Sequence, residues 1–224
     1  MSATQDRLQT WEGPGMKLTT ALGTWLQRTA VERRTQRRVL DGLPVTVVNT
    51  RPDIETEQVF SRLETALGLI RQYTPHYYRH LQRDFAGILV RRYECRGAYL
   101  IEPRLCLVEL TFVVNPDFTE AQVAATILHE AMHARLHRLG VAVAAADRAR
   151  QERFCRRAEV EFGGLVPGGA PIVERALASL ALGDVEVAPN VDKSLAAKRI
   201  AEADIAALRA PEWVKRGLAR RAGL

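Results

Sequence analysis

The feature that most constrains this chain is the run His129–His133, which reads His-Glu-Ala-Met-His and falls well inside a predicted helix. Thr119 followed by Gln122 is a capping-box pattern, and it marks the start of that helix. Gly140 suits the C-terminal cap, so the helix is predicted to extend to about Leu139. The run therefore places two imidazoles and a carboxylate on one regular element.

The spacing of the two histidines predicts a metal site. Residues four apart on a helix lie on the same face, about 5–6 Å from one another. Both rings can then bind one tetrahedral metal ion, so His129 and His133 are predicted Zn²⁺ ligands. Glu130 is the predicted general base, because a carboxylate beside the first histidine can accept the proton of a water that the metal acidifies.

The pattern resembles the HExxH motif of the zincin metallopeptidases over roughly residues 97–162. The resemblance implies a small sheet whose edge strand holds the substrate backbone, and a third zinc ligand downstream. Leu136 and Leu139 stand where the metzincin pattern needs Gly and His, which excludes that branch. The gluzincin branch takes a glutamate from the next helix, where Glu152 and Glu159 are both candidates.

Helix geometry separates these two glutamates. If the two helices are antiparallel with a turn at about 140–144, Glu152 lies almost level with His133. Glu159 then lies about 10 Å further along, opposite Thr126. Glu152 is accordingly the predicted third ligand. Glu159 is the alternative ligand or an orienting residue, and a surface ion pair is the remaining interpretation.

The element order predicts an α+β fold, with a helix, a small antiparallel sheet, the motif helix, a ligand helix and a helical tail. The predicted strands are Val45–Asn49, Ala86–Tyr93, Gly97–Ile101 and Leu105–Val114, the last being the substrate-aligning edge. The other predicted helices are Leu18–Arg38, Ile54–Tyr73, one through His76 and Leu81, Ala145–Phe162, Pro171–Leu182, Asp192–Ala210 and Glu212–Arg221.

Three regions are predicted along the chain. Residues 1–43 form an N-terminal arm and a basic amphipathic helix, and residues 44–165 a zincin-like metallopeptidase domain. Residues 166–224 form a helical C-terminal extension. Met16–Leu26 is too short to span a bilayer and lacks a cleavage pattern, so no membrane span and a cytoplasmic location are expected.

Several other side chains receive expectations of their own. The three cysteines are expected to be reduced and buried: Cys95, Cys106 and Cys155. His137 is expected at the polar rim of the site, and the pair His76 and His80 on a packing helix. The residue that stabilises the oxyanion is sought among four candidates: Tyr93, Tyr99, Arg153 and Arg156.

The leading functional prediction is a zinc-dependent, metallopeptidase-like hydrolase acting on a peptide or protein substrate. One alternative is a catalytically silent zincin scaffold that binds a partner. The other is a nucleic-acid-associated protein, since the net charge is +6 and a basic run holds Arg33, Arg34, Arg37 and Arg38. A solvated charged helix explains those arginines equally well.

Overall fold

Five short runs form one mixed sheet in the computed structural model of the chain, which describes residues 35–141, 147–187, 193–206, 208 and 210–221. The strands are β1 (Thr35–Leu40), β2 (Leu43–Val48), β3 (Gly87–Arg91), β4 (Gly97–Leu100) and β5 (Leu105–Glu109). They lie in the order β1-β2-β3-β5-β4. With the helices that pack on it, this sheet makes the α+β fold that the sequence predicts.

The expectation of an antiparallel sheet was wrong. Strands β2, β3 and β5 run parallel to one another, and only the outer pairs β1–β2 and β4–β5 are antiparallel. The reason is the connection from β2 to β3, which consists of two helices, α1 (Thr56–Tyr73) and α2 (Pro75–Asp84). A helical crossover returns the chain to the same end of the sheet, so the next strand runs parallel.

The remaining described helices follow the sheet or close it. They are α3 (Leu110–Val114), α4 (Glu120–Arg138), α5 (Arg148–Leu165), α6 (Ala170–Leu180), α7 (Asp184–Val187), α8 (Lys193–Ala206) and α9 (Glu212–Arg221). The helical tail predicted after residue 166 is thus confirmed. Within the described ranges, no helix combines the length and apolar character needed to cross a bilayer.

The helix predicted over the basic run is wrong for residues 35–40, which form β1. Asp41 and Gly42 both have positive φ, 51° and 83°, and this conformation joins two antiparallel strands in a tight hairpin. Arg38 lies over the ring of Phe60 and donates two hydrogen bonds to Glu57. Residues 1–34, with the rest of that predicted helix, lie outside the described residues.

The apolar run Leu105–Val114 is not one strand. β5 ends at Glu109, whose carboxylate accepts a hydrogen bond from the backbone N–H of Phe112 at 2.6 Å and so caps α3. A continuous apolar run fits a buried strand and a buried helix equally well, so hydrophobicity could not locate this boundary. β5 is also not an edge strand, because it lies between β3 and β4. The edge on this side is β4.

Helix α4 begins and ends as predicted. Thr119 and Gln122 form the capping box, with hydrogen bonds of 3.3 and 2.9 Å. At the other end Gly140 has φ +77°, and its N–H and that of Val141 bond back to carbonyl groups of the last turn. Every residue from Val123 to Ala131 is buried, so this part of the helix is enclosed on all sides.

Helix α5 continues past the glycine pair that was expected to end it. Gly163 lies inside the helix. Helix α6 approaches it so closely that a Cβ at this position would lie 2.9 Å from Val173 Cγ2. This glycine therefore serves helix–helix packing rather than capping. The predicted start of the helix at Ala145 lies outside the described residues, which resume with Asp147.

The C-terminal ends of α2 and α4 are joined by a buried carboxylate. Asp84 is 2% exposed and accepts hydrogen bonds from Arg83 and from Arg138, each at 2.8 Å. Burial raises the pKa of Asp84, but these hydrogen bonds outweigh burial and hold the pKa below 3.8. This contact fixes the end of the helix that carries the motif.

Asp84→Asn is expected to lower the free energy of unfolding by about 1–3 kcal/mol at neutral pH, because an amide cannot serve both guanidinium groups. The native pKa is depressed, so the contribution of the carboxylate is complete above pH 3.8 and is lost as the pH falls through the native pKa. Urea unfolding at neutral pH and well below pH 3.8 measures both effects.

The matched control is Glu57→Gln, which removes an exposed carboxylate that also pairs with an arginine. It should cost less than Asp84→Asn, because solvent screens that pair. The ionised role of Asp84 would be contradicted if the difference in free energy of unfolding between Asp84→Asn and the parent protein did not change with pH.

Candidate metal centre

The two histidines of the motif meet at one point on α4. His129 Nε2 and His133 Nε2 lie 3.3 Å apart, and the ring centroids lie 5.0 Å apart. His129 is buried, with 7% of its surface exposed, whereas the side chain of His133 is 19% exposed. Solvent therefore reaches the pair from the side of His133.

Helix α5 brings the carboxylate of Glu152 to the same point. One oxygen lies 3.2 Å from His129 Nε2, and the other lies 3.4 Å from His133 Nε2. Burial raises the pKa of Glu152, but the hydrogen bonds from the two histidines dominate and hold it well below its usual range. An ionised carboxylate and two ring nitrogens thus converge, at the level on the helix pair that the sequence predicts.

The distances among these atoms are of the size found between neighbouring ligand atoms of one metal ion. Zinc binds histidine nitrogen and carboxylate oxygen at about 2.0–2.1 Å with tetrahedral geometry, so two of its ligand atoms lie about 3.3–3.4 Å apart. The three measured separations are 3.3, 3.2 and 3.4 Å. The two contacts use different oxygens of Glu152, so the carboxylate spans the Nε2 atoms of His129 and His133 and closes one side of the group.

Cys155 lies beside this group, and sequence reasoning did not identify it as a candidate ligand. Its Sγ and one ring nitrogen of each motif histidine all lie within 4.8 Å of one another, so His129, His133 and Cys155 can also hold a metal ion. Burial and the neighbouring carboxylates raise the pKa of the Cys155 thiol well above its usual value. Its position three residues after Glu152, on the same helix face, was the available signal.

The expectation that the cysteines are buried is confirmed for two of the three. Cys106 and Cys155 are buried, whereas Cys95 is exposed. Cys106 and Cys155 are free thiols, as expected, and Cys95 Sγ donates a hydrogen bond to the Gly97 carbonyl group at 3.0 Å.

Glu159 contacts the opposite nitrogen of the first histidine. Its Oε1 lies 3.0 Å from His129 Nδ1, so it does not lie a full 10 Å from the site as the helix geometry predicted. Its carboxylate is 1% exposed and also accepts hydrogen bonds from Arg156, while Arg175 lies 3.5 Å away. This contact keeps the proton of neutral His129 on Nδ1 and directs Nε2 towards Glu152.

Three carboxylates surround His129, and they require a positive charge. Burial lowers the pKa of His129, but the hydrogen bonds that its ring donates to Glu152 and Glu159, with the charge of Glu130, outweigh burial and raise it. A proton on the ring and a divalent cation beside it are two ways to satisfy this demand. Ligands that release protons make metal binding stronger at higher pH.

Glu130 lies against the edge strand β4, close enough to His129 and His133 for their charges to act on it. It is 6% exposed, and burial raises its pKa although the charges of His129 and His133 act in the opposite direction. A Cβ built on Gly97 of β4 would lie 3.1 Å from Glu130 Oε1 and 2.7 Å from Thr126 Cγ2. The backbone of β4 therefore lies directly against α4 beside this carboxylate.

The four candidates for oxyanion stabilisation have different surroundings. Arg153 donates to the carbonyl groups of Leu180 and Leu182 and to Asp184, and Arg156 donates to Glu159. The Tyr99 hydroxyl lies 3.2 Å from His137 Nδ1, one helical turn beyond the motif. The Tyr93 hydroxyl has a pKa raised to about 12 by burial and the charge of Glu94.

The second histidine pair belongs to a different surface. His76 lies 3.3 Å from Glu161 and its ring is tilted against Tyr77 at 4.1 Å. Burial lowers the pKa of His80, with the charges of Arg135 and other nearby arginines contributing. These contacts agree with the packing role expected for this helix.

Comparisons of the chain with protein families, with curated proteins and with solved structures found no match. Any assignment of function therefore depends on the residues of this chain alone.

Gly97→Ala is expected to lower the free energy of unfolding by about 1–3 kcal/mol, because its Cβ collides with Thr126 Cγ2 in a packed interior. Thr126→Ser removes that methyl group but keeps the hydroxyl that bonds to Gln122 O. The double variant should therefore regain most of the loss in a double-mutant cycle. Gly164→Ala, which meets nothing within 4 Å, is the control and should cost nothing. If the double-mutant cycle gives no coupling energy between positions 97 and 126, the proposed contact between them is wrong.

Glu152→Ala is expected to cause the largest loss of Zn²⁺ affinity among the α5 variants, because its oxygens contact the Nε2 atoms of both motif histidines. Glu159→Ala should cost about 10–100-fold, since it acts through His129. Chelator competition at one pH gives all these values.

Cobalt substitution tests Cys155 directly. A thiolate bound to Co²⁺ produces a charge-transfer band in the near ultraviolet, and that band should be absent if Glu152 is the third ligand. If the band is present, and Cys155→Ser abolishes it while Cys95→Ser leaves it intact, then Cys155 is a ligand, either in place of Glu152 or in addition to it.

Proposed function

We propose that this chain is a zinc-dependent metallopeptidase-like hydrolase of the zincin type, with His129, His133 and Glu152 as zinc ligands and Glu130 as general base. The observation that carries the proposal is the spacing of the three donor groups, 3.2–3.4 Å, beside a buried carboxylate of the HExxH motif. Bound Zn²⁺ in such a site lowers the pKa of water and polarises a carbonyl group.

Glu130 is suited to the transfer of a proton. A general base works best when its pKa approaches the working pH, and burial shifts the pKa of Glu130 in that direction. The carboxylate accepts the proton of the attacking water and then gives it to the leaving amine. The absence of a side chain at Gly97 lets the backbone of β4 approach this carboxylate closely.

The substrate is proposed to be an extended peptide that pairs with the outer side of β4. This strand is the edge of the sheet beside α4, and its backbone passes Glu130 at Gly97. Peptides commonly bind to an exposed strand by extending the sheet, which supplies backbone hydrogen bonds without sequence specificity. The aligning strand is thus β4 in place of the run Leu105–Val114.

A catalytically silent metal site is the second candidate, and Cys155 favours it. Structural zinc sites have four protein ligands, whereas catalytic sites keep one position open. If the Cys155 thiolate joined His129, His133 and Glu152, no position would remain for water. The nucleic-acid alternative has weaker support, because Arg38 is held by Glu57 and Phe60.

Purified protein is expected to contain close to one Zn²⁺ per chain, and His129→Ala or His133→Ala should abolish it, because two remaining ligands hold the ion too weakly. Glu130→Gln should keep the zinc but lose hydrolysis of a quenched-fluorescence peptide library, since an amide cannot accept the proton. Metal analysis and fluorescence on the same preparations separate the two effects.

The control is Glu64→Gln, which changes an exposed glutamate on α1 and should leave both measurements unchanged. Hydrolysis by Glu130→Gln at the parent rate would contradict the proposed base. Full zinc without turnover in the parent protein would favour the silent site.

A further inference from the structure

Three arginines gather on one side of the candidate metal centre. Arg156 and Arg175 approach Glu159 from α5 and α6. Arg96 directly precedes Gly97, and its guanidinium lies 4.3 Å above the ring of Phe118. Gly97 lies against Glu130, and Glu159 lies 3.0 Å from His129, so the three arginines flank neighbouring residues of the motif. Burial lowers the pKa of Arg96, and the charges of Arg175 and Arg156 lower it further.

This neighbourhood lies next to the proposed reaction centre. Arg156 and Arg175 meet the carboxylate that holds His129 Nδ1. Arg96 is adjacent to the glycine that lies against Glu130. Side-chain exposures of 24% for Arg156 and 34% for Arg175 leave parts of both groups in contact with solvent. A peptide on β4 would pass this cationic group at its Gly97 end.

The arginines exceed the acidic charge available to them. Glu159 is the carboxylate that Arg156 and Arg175 share, and it also serves His129. The Nε atoms of both arginines are buried without a hydrogen-bond partner among the described residues. The guanidinium of Arg96 lies over two aromatic rings, and the charge of the same Glu159 also acts on it. With a divalent ion at the centre, the positive charges outnumber the three carboxylates.

We infer that Arg96, Arg156 and Arg175 form a subsite for a carboxylate of the substrate, next to the scissile bond at the Gly97 end of β4. Arginine binds carboxylates through paired, charge-assisted hydrogen bonds, and three cations in one place reject a substrate that brings another cation. The inference rests on the proposed hydrolase. The carboxylate is supplied either by an Asp or Glu side chain or by a free C-terminus.

The first test uses the zinc-loaded full chain and two hydroxamates of equal length, one ending in a carboxylate and the other in a carboxamide. Both contain the same zinc-binding group, so their difference isolates the subsite. The carboxylate probe should bind about tenfold more tightly, as expected for partly exposed charged hydrogen bonds. The preference should decrease as salt is added.

Arg96→Gln and Arg175→Gln should each remove most of that preference while leaving the affinity for the carboxamide probe unchanged. Arg96→Lys should keep part of it, because the charge remains but the paired geometry is lost. Arg37→Gln, an exposed arginine on β1, is the matched control and should retain the full preference. Equal affinities for the two probes in the parent protein would overturn the subsite but not the hydrolase.

Failure of both probes to bind to zinc-loaded protein would overturn the hydrolase and the subsite together. The source of the carboxylate is then tested with matched peptides. Faster hydrolysis of an Asp peptide than of its Asn analogue assigns the subsite to a side chain, and faster hydrolysis of the free acid than of the C-terminal amide assigns it to the terminus. Equal rates for all four peptides would overturn the inference.

Discussion

The contact on which the site depends is the burial of carboxylates between α4 and α5. Glu130, Glu152 and Glu159 all have low exposure, and an unpaired buried carboxylate is costly enough to oppose the packing of the helices. Glu159 is compensated by arginines, but Glu152 faces only His129 and His133. A positive charge beside Glu152, from a protonated histidine ring or a bound cation, therefore stabilises the interface between the two helices as well as the site. Metal binding and folding are expected to be coupled for this reason.

The mixed topology of the sheet decides what lies next to these charges. Helices α1 and α2 connect β2 to β3 in parallel, and β5 adds to β3 in the same direction. β5 therefore lies inside the sheet, and β4 is the edge strand. The absence of a side chain at Gly97 then allows this edge to lie against α4 beside Glu130. An edge strand presents backbone groups that the sheet does not use, and here the backbone of Tyr99 hydrogen-bonds to Glu130, the carboxylate of the motif. In the proposed hydrolase the metal would lie between α4 and α5, and Glu130 would act from the border between this group and β4.

Local signals in the sequence predicted the elements that hold the site. The capping box at Thr119 and the cap at Gly140 depend on neighbouring residues alone, and the level of Glu152 follows from counting helical turns between them. Non-local packing was not predictable. The strand order, the edge position of β4 and the approach of Glu159 to His129 Nδ1 depend on contacts that no short segment encodes. The run Leu105–Val114 shows the same limit, because buried strands and buried helices share one composition.

Cys155 decides between an open and a closed metal site, and the argument depends on protonation. The thiol must lose its proton to bind a metal, and burial among carboxylates opposes that loss, whereas Glu152 is already ionised. Zinc can overcome such opposition, since a bound thiolate is deprotonated outright. Ionising this thiol nevertheless remains costly, because it is buried and the charges of Glu152, Glu130 and Glu159 act on it directly. A water or a substrate carbonyl needs no such ionisation to occupy the fourth position. The cost of ionising Cys155 therefore favours the open site, in which its thiol stays neutral.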